Sequence, residues 1–168
     1  FKEEWRDSGV DKDWPSLTKI YKASNSLIGA TIWHPFDHQR GYHPDPFWGG
    51  IMDAYRQPKF SYYMMKSLLP TNGLETVPNV HAEPFVYIAH LLSPFSPKDI
   101  TVFTNCDEVR LIMYGKEIGI KKATDGESPV PRVPVVFKNV FNYVDIRNKN
   151  KKDYNKINHS HVEASIVK

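Results

Sequence analysis

A chain of 168 residues has room for one ordinary domain, or for one small domain attached to a piece of something larger. With 40% hydrophobic and 13% aromatic residues against 24% charged, it carries ample apolar material for a packed core, which excludes global disorder. A net charge of +3 is too small to imply a nucleic-acid partner, no apolar run reaches the roughly eighteen residues of a membrane-crossing helix, and the single cysteine, Cys106, excludes an internal disulfide and any multi-cysteine zinc site.

In chain order, Phe1 to Asp7 show no signal-peptide pattern, and the lack of an initiator methionine is what an internal fragment or a processed product would show. Pro15 can open a helix, and Leu17, Ile20, Tyr21, Ser24 and Leu27 recur at helical spacing, which predicts a helix over 15–27. The run 28–33, ending at Trp33, is short, apolar and β-branched and suits a strand buried on both faces. A long polar-aromatic loop follows, and a second helix is expected from Pro58, with Phe60, Tyr63, Met64, Ser67 and Leu68 on one face. Helix, buried strand, loop and helix is the rhythm of an α/β barrel or a doubly wound sheet, where chemistry sits at the carboxyl ends of strands.

The turn-rich stretch 70–83 reads as a linker between a first part, 1–69, and a second, 84–168, with a different period. Strand-like runs occur at 85–91, 100–104, 109–113, 133–137 and 161–167. Asn105-Cys106-Asp107-Glu108 and Tyr114-Gly115-Lys116-Glu117 read as hairpin connections, and the whole as a β-sandwich of immunoglobulin-like type. The basic run Arg147, Lys149, Lys151, Lys152 and Lys156 reads as a solvated loop rather than a polyanion contact.

Chemistry-bearing residues concentrate between Trp33 and Gly50. This segment holds five aromatic side chains besides histidine, three imidazoles (His34, His38, His43), two carboxylates (Asp37, Asp45) and Arg40. Flat apolar faces suit the C–H surface of a sugar, and charged forks suit its hydroxyls. The alternative is a loop stiffened by Pro35, Pro44 and Pro46 whose aromatics plug the end of a core. A metal site is not expected, because His34 and His38 would align only on a helix and Pro35 opposes one there.

The string from Ile32 to Tyr63, above all Gly50-Ile51-Met52-Asp53 with Arg56-Gln57-Pro58-Lys59 and Tyr62-Tyr63, resembles the last strand, loop and helix of the catalytic barrel in β-galactosidase-like members of glycoside hydrolase family 2. Downstream, Ile100 to Leu111 with Gly115-Lys116 resembles the immunoglobulin-like sandwich that follows that barrel. The resemblance implies an α+β multi-domain fragment: the last βα units of a TIM barrel, then the sandwich. It also implies a retaining hydrolase of galactose-containing glycans, with two glutamates roughly 5–5.5 Å apart, and no cofactor. It makes Glu4 a candidate nucleophile, Trp33 the aromatic platform under the sugar, and Asp37, His38, Arg40 and His43 polar contacts to hydroxyls or to an anionic group. The family's acid/base glutamate follows an asparagine, and no Asn-Glu pair occurs in this sequence.

A closed barrel takes about 250 residues, so the barrel-like part is expected to need the rest of a parent barrel as its partner. Alone it is expected to be unstable or to associate with other copies, and to show no hydrolysis. The parent family suggests a secreted or periplasmic enzyme. A non-catalytic carbohydrate-binding or interaction module, and a plain structural domain, are the readings from other classes. No nucleic-acid or membrane partner is expected.

Overall fold

The structure, a computed structural model, describes residues 10–23, 31, 34–72, 77–123, 129–145 and 162–166. Glu4, the run 28–30, Ile32 and Trp33, and the basic run from Arg147 to Lys156 lie outside the described residues. The chain forms two compact units, Phe1–Leu68 with Gly126–Pro131, and Leu69–Asp125 with Arg132–Lys168.

In the first unit, helix α1 spans Val10–Lys22 and α2 spans Phe60–Lys66. This helix starts before the one expected over 15–27, so that Pro15 lies inside it rather than at its first position, and 24–27 lie outside the described residues. The start of α2 also differs from expectation. Pro58 pairs with Met52 in a β-bridge and the Lys59 N–H donates to the Ile51 carbonyl, so these residues are held extended and the helix begins only at Phe60. A proline's pyrrolidine nitrogen supplies no N–H for a ladder, but its carbonyl and fixed φ tolerate such an edge position. Phe60, Ser61 and Met64 form the buried face of α2, and buried Ser67 closes the helix by donating its hydroxyl to the Met64 carbonyl at 2.6 Å.

The second unit consists, among the described residues, of two three-stranded antiparallel sheets. One has the order β1-β2-β5, from Val86–Ala89, Ile100–Thr104 and Val135–Phe137. The other has the order β4-β3-β6, from Lys116–Lys122, Glu108–Met113 and Val162–Ile166. Period-2 alternation in β3 sends Val109, Leu111 and Met113 inward and leaves Glu108, Arg110 and Ile112 partly exposed. The inward residues meet Ile100 and Val102 of β2 and Val135 and Phe137 of β5 in one buried cluster, closed by Ala123 and Phe141. Two sheets sharing one apolar layer make a sandwich.

Two turn expectations had different outcomes. Tyr114-Gly115 does join β3 to β4 as a tight hairpin: Met113 faces Lys116, and both turn residues have positive φ, 54° and 75°, as a type I′ turn requires. A tyrosine in that left-handed region costs roughly 1–2 kcal/mol relative to glycine. The Asn105–Glu108 segment, however, is no hairpin, because β2 and β3 belong to different sheets and the segment carries the chain across the core. Buried Asn105 explains the crossover. Its Oδ1 accepts the Phe85 N–H at 3.0 Å, and its Nδ2 donates to the Ala82 and Glu83 carbonyls at 3.2 Å, so one amide ties the approach to β1 onto the corner. Arg132 braces the same corner through the Cys106 carbonyl and the Asp107 carboxylate.

Strand β4 was not anticipated. Its sequence, KEIGIKK, is exposed at nearly every position, and a bulge between Leu111 and Ile112 leaves Ile118 opposite no partner residue. Lysines on an edge strand are what keeps such an edge from pairing with another chain.

Candidate functional site

The loop 34–59 of the first unit is woven rather than loose. Met52 is its centre: it pairs in parallel with Phe36 and antiparallel with Pro58, while the Asp37 N–H donates to the Met52 carbonyl and the Met52 N–H to the Pro35 carbonyl, both at 3.0 Å. Further out, His38 and Phe47 exchange two backbone hydrogen bonds, at 2.8 and 3.2 Å, which makes 38–47 a hairpin-like excursion with exposed Tyr42 near its tip.

Gly50, Asp53, Arg56 and Lys59 each have a local physical task in this loop. Gly50 is buried, and a Cβ there would stand 2.4 Å from the Phe36 carbonyl carbon and 2.5 Å from the Asp37 nitrogen, so only glycine lets the two tracks touch. The Asp53 carboxylate accepts the Tyr55 and Gln57 N–H groups at 2.8 Å, an Asx turn that lets Arg56 adopt φ 67°. Arg56 then lies over the Phe36 ring, 5.2 Å from its centroid.

Lys59 returns to the loop's start. Its ammonium lies 2.7 Å from both Asp37 oxygens and donates to the Trp48 carbonyl at 3.0 Å. The Gly50 N–H donates to the same carboxylate at 3.0 Å. Side-chain exposures of 12% for Lys59 and 3% for Asp37 make this a desolvated ion pair that staples 37, 48, 50 and 59 together.

The expected site residues therefore divide. Asp37 points inward and serves as an anchor of the loop. His43 Nδ1 accepts from both Arg40 Nη2, at 3.0 Å, and the Asp45 N–H, at 3.1 Å, so the ring is held with its proton on Nε2 and acts as a strut for the guanidinium. Arg40 also donates through Nε and Nη2 to the Asp45 carbonyl at 3.1 and 3.0 Å. Its Nη1 has no partner among the described residues, and neither does any carboxylate pair with this guanidinium. His38 packs with His34 and Phe47 at ring separations of 4.5 and 5.1 Å. Its Nδ1 lies 3.3 Å from the Phe36 carbonyl, which can only accept, so the proton is on Nδ1 and Nε2 is the acceptor side. That Nε2 is unpartnered among the described residues.

The loop thus brings His34, His38 and Phe47 into one ring cluster and fixes Arg40 on a preformed support. Glu4 and Trp33 lie outside the described residues. Sequence reasoning missed Lys59 and Gly50 as parts of the site's frame; their only signal was membership in the Gly50–Lys59 string, since neither periodicity nor composition marks a cation that folds back 22 residues. No group of three or more His, Cys, Asp or Glu residues fit to hold a metal occurs among the described residues.

Comparison with known proteins falls on both units. The family model for a domain of unknown function, DUF4982, matches residues 96–144, which run from the turn before β2 past β5. A protein of Formosa agariphila named as a β-glucuronidase is 27% identical over 130 residues, covering 71% of this chain and 14% of that protein. This chain is similar to a stretch of a glycoside hydrolase. A β-glycosidase from Bacteroides vulgatus shares the fold over 90% of the chain and 16% of its own length, at 19% identity and a TM-score of 0.58. A β-glucuronidase from Bacteroides uniformis matches 61% of the chain and 13% of its own length at 25% identity, with a TM-score of 0.42. The chain therefore spans about one-seventh of the curated relative it matches. The names carried by these relatives are glucuronidase and glycosidase, not galactosidase.

Proposed function

We propose that the loop 34–59 forms one wall of the sugar site of a retaining glycoside hydrolase of the family 2 type. In this reading the first unit supplies the last βα units of a TIM barrel, and the second is the immunoglobulin-like sandwich that follows it along the chain. The observation that carries the proposal is a rigid loop that keeps two hydrogen-bonding groups of opposite kind unpartnered among the described residues, the Arg40 Nη1 donor and the His38 Nε2 acceptor. Idle polar groups on an over-determined scaffold are what a site for a polyhydroxylated ligand requires. Trp33 is the stacking platform of this reading, while Asp37, Lys59 and His43 hold the loop and do not touch the sugar.

Arg40 has no carboxylate partner among the described residues, and its idle Nη1 can donate a charge-assisted hydrogen bond to a carboxylate. This favours a sugar bearing a carboxylate, a uronic acid, over the neutral galactoside suggested by the sequence resemblance. Glu4 remains the candidate nucleophile. The acid/base glutamate has no counterpart in this sequence, so the 168-residue chain binds sugar without turning it over.

Methyl β-glucuronide and methyl β-galactoside, titrated into the chain with indole emission as readout, test the reading. A saturable change with the uronide, weakened about tenfold in Arg40→Gln, which loses one charge-assisted hydrogen bond of about 1.5 kcal/mol, is expected. No response to either sugar refutes the site. An equal response to both refutes the role of Arg40. Release of nitrophenol from a chromogenic glucuronide by the pure chain refutes the assignment of a missing acid/base.

A further inference from the structure

A second set of polar groups lies within the sandwich unit. A cavity of ≈ 230 Å³ opens between the β3–β4 hairpin and the segment 140–145. Met113 and Val140 give it an apolar floor, Tyr114 an aromatic wall, and Lys116, Asn142 and Asp145 a polar rim. Space for roughly eight waters, at ~30 Å³ each, is one sugar ring's worth, and it falls below the ~300 Å³ at which pockets for larger ligands begin.

The rim carries one cation, one anion and one amide. Lys116 and Asp145 pair neither with each other nor with any other charged group among the described residues. Asn142, which lines the cavity, uses its Oδ1 to accept the Val144 N–H at 3.1 Å, which fixes the side chain while its NH₂ group makes no hydrogen bond among the described residues. A simple anion would meet Asp145 and a simple cation Lys116, so the lining suits a neutral ligand offering donors and acceptors together. Tyr114 adds a flat face for C–H stacking. It does so at a left-handed backbone position, φ 54°, where asparagine or glycine would be easier.

We propose that this cavity binds a single neutral pyranose unit, which makes the sandwich a sugar-holding module independent of the loop 34–59. Small contact area and one ring to order put the affinity in the millimolar range. Three hydrogen-bonding groups and one stacking face fix the ligand's orientation.

Methyl β-D-glucopyranoside, titrated into the ¹⁵N-labelled full chain and followed by amide shifts, is the test. Saturable shifts at Tyr114, Gly115, Lys116 and Asn142 are expected, weakened about tenfold in Asp145→Asn, which exchanges a charged hydrogen bond for a neutral one. Tyr114→Gly should abolish them while retaining the dispersed spectrum of the folded sandwich, because glycine adopts that turn freely. Unchanged affinity in both variants overturns the site, as does an absence of shifts up to tens of millimolar. Shifts confined to 34–59 overturn it as well. Shifts at these residues from benzyl alcohol or glycine, but not from the glycoside, overturn the sugar class.

Discussion

The buried pair between Lys59 and Asp37 makes the sharpest prediction about the candidate site. In Lys59→Met the side chain keeps its length and loses its charge, so the Asp37 carboxylate, 3% exposed, is left with the Gly50 N–H and no counter-ion. Removing one partner of a buried ion pair costs about 3–5 kcal/mol, because the remaining charge stays desolvated. The double variant Asp37→Asn/Lys59→Met should recover most of this. An asparagine oxygen still accepts the Gly50 N–H, and what remains lost is the bond to the Trp48 carbonyl, about 1 kcal/mol. All four tryptophans, Trp5, Trp14, Trp33 and Trp48, belong to the first unit, so indole emission during urea unfolding of the full chain reports that unit selectively. A single variant within about 1 kcal/mol of the parent chain would refute the claim that the pair is desolvated and structural. A double variant as unstable as the single one would refute the claim that the stranded charge is the cause.

Gly50→Ala should disrupt the same loop from the backbone side, since its Cβ would meet main-chain atoms at 2.4–2.7 Å that cannot rotate away; a loss of about 3 kcal/mol or more and rapid proteolysis within 34–59 are expected, and a stability equal to the parent's would count against the packing described. In the sandwich, Asn105→Ala should cost about 2–4 kcal/mol by far-UV circular dichroism in urea, because it strands the Phe85 N–H and two carbonyls near β1; a change under about 0.5 kcal/mol would show that water replaces the amide. Burial, with Asp145 adding to it, raises the Tyr114 hydroxyl above its ordinary value of 10.0. The folded chain therefore holds that proton more tightly than the unfolded one. The resulting stability is fully present below pH 10.0 and is lost as pH rises through the folded value. The urea midpoint should fall in that alkaline range and fall less in Tyr114→Phe; equal slopes would refute the shift.

Local sequence determined what depends on neighbours along the chain. Short strand-like runs bounded by turn residues placed β2, β3 and β5, and helical spacing picked out Phe60 and Met64 on the face of α2 that the fold buries. Tyr114-Gly115 announced its hairpin because a positive-φ pair is a property of two adjacent residues. Concentrated aromatic, imidazole and charged residues marked 34–59 as the segment with chemistry.

Choices between distant partners were made only by the tertiary structure. Whether Asn105-Cys106-Asp107-Glu108 turns back or crosses to the opposite sheet depends on Asn105 finding carbonyls 22 and 23 residues away, and nothing in the four residues encodes that. Strand β4 hides from pattern reading because an edge strand exposed on both faces has no apolar alternation to show. Pro58 stays two residues before the helix because Met52 holds it in a bridge. Asp37 turns inward because Lys59 folds back to neutralise it, which makes the pair an anchor of the loop. A carboxylate's role follows from the charge that reaches it, and only the folded chain decides which charge that is.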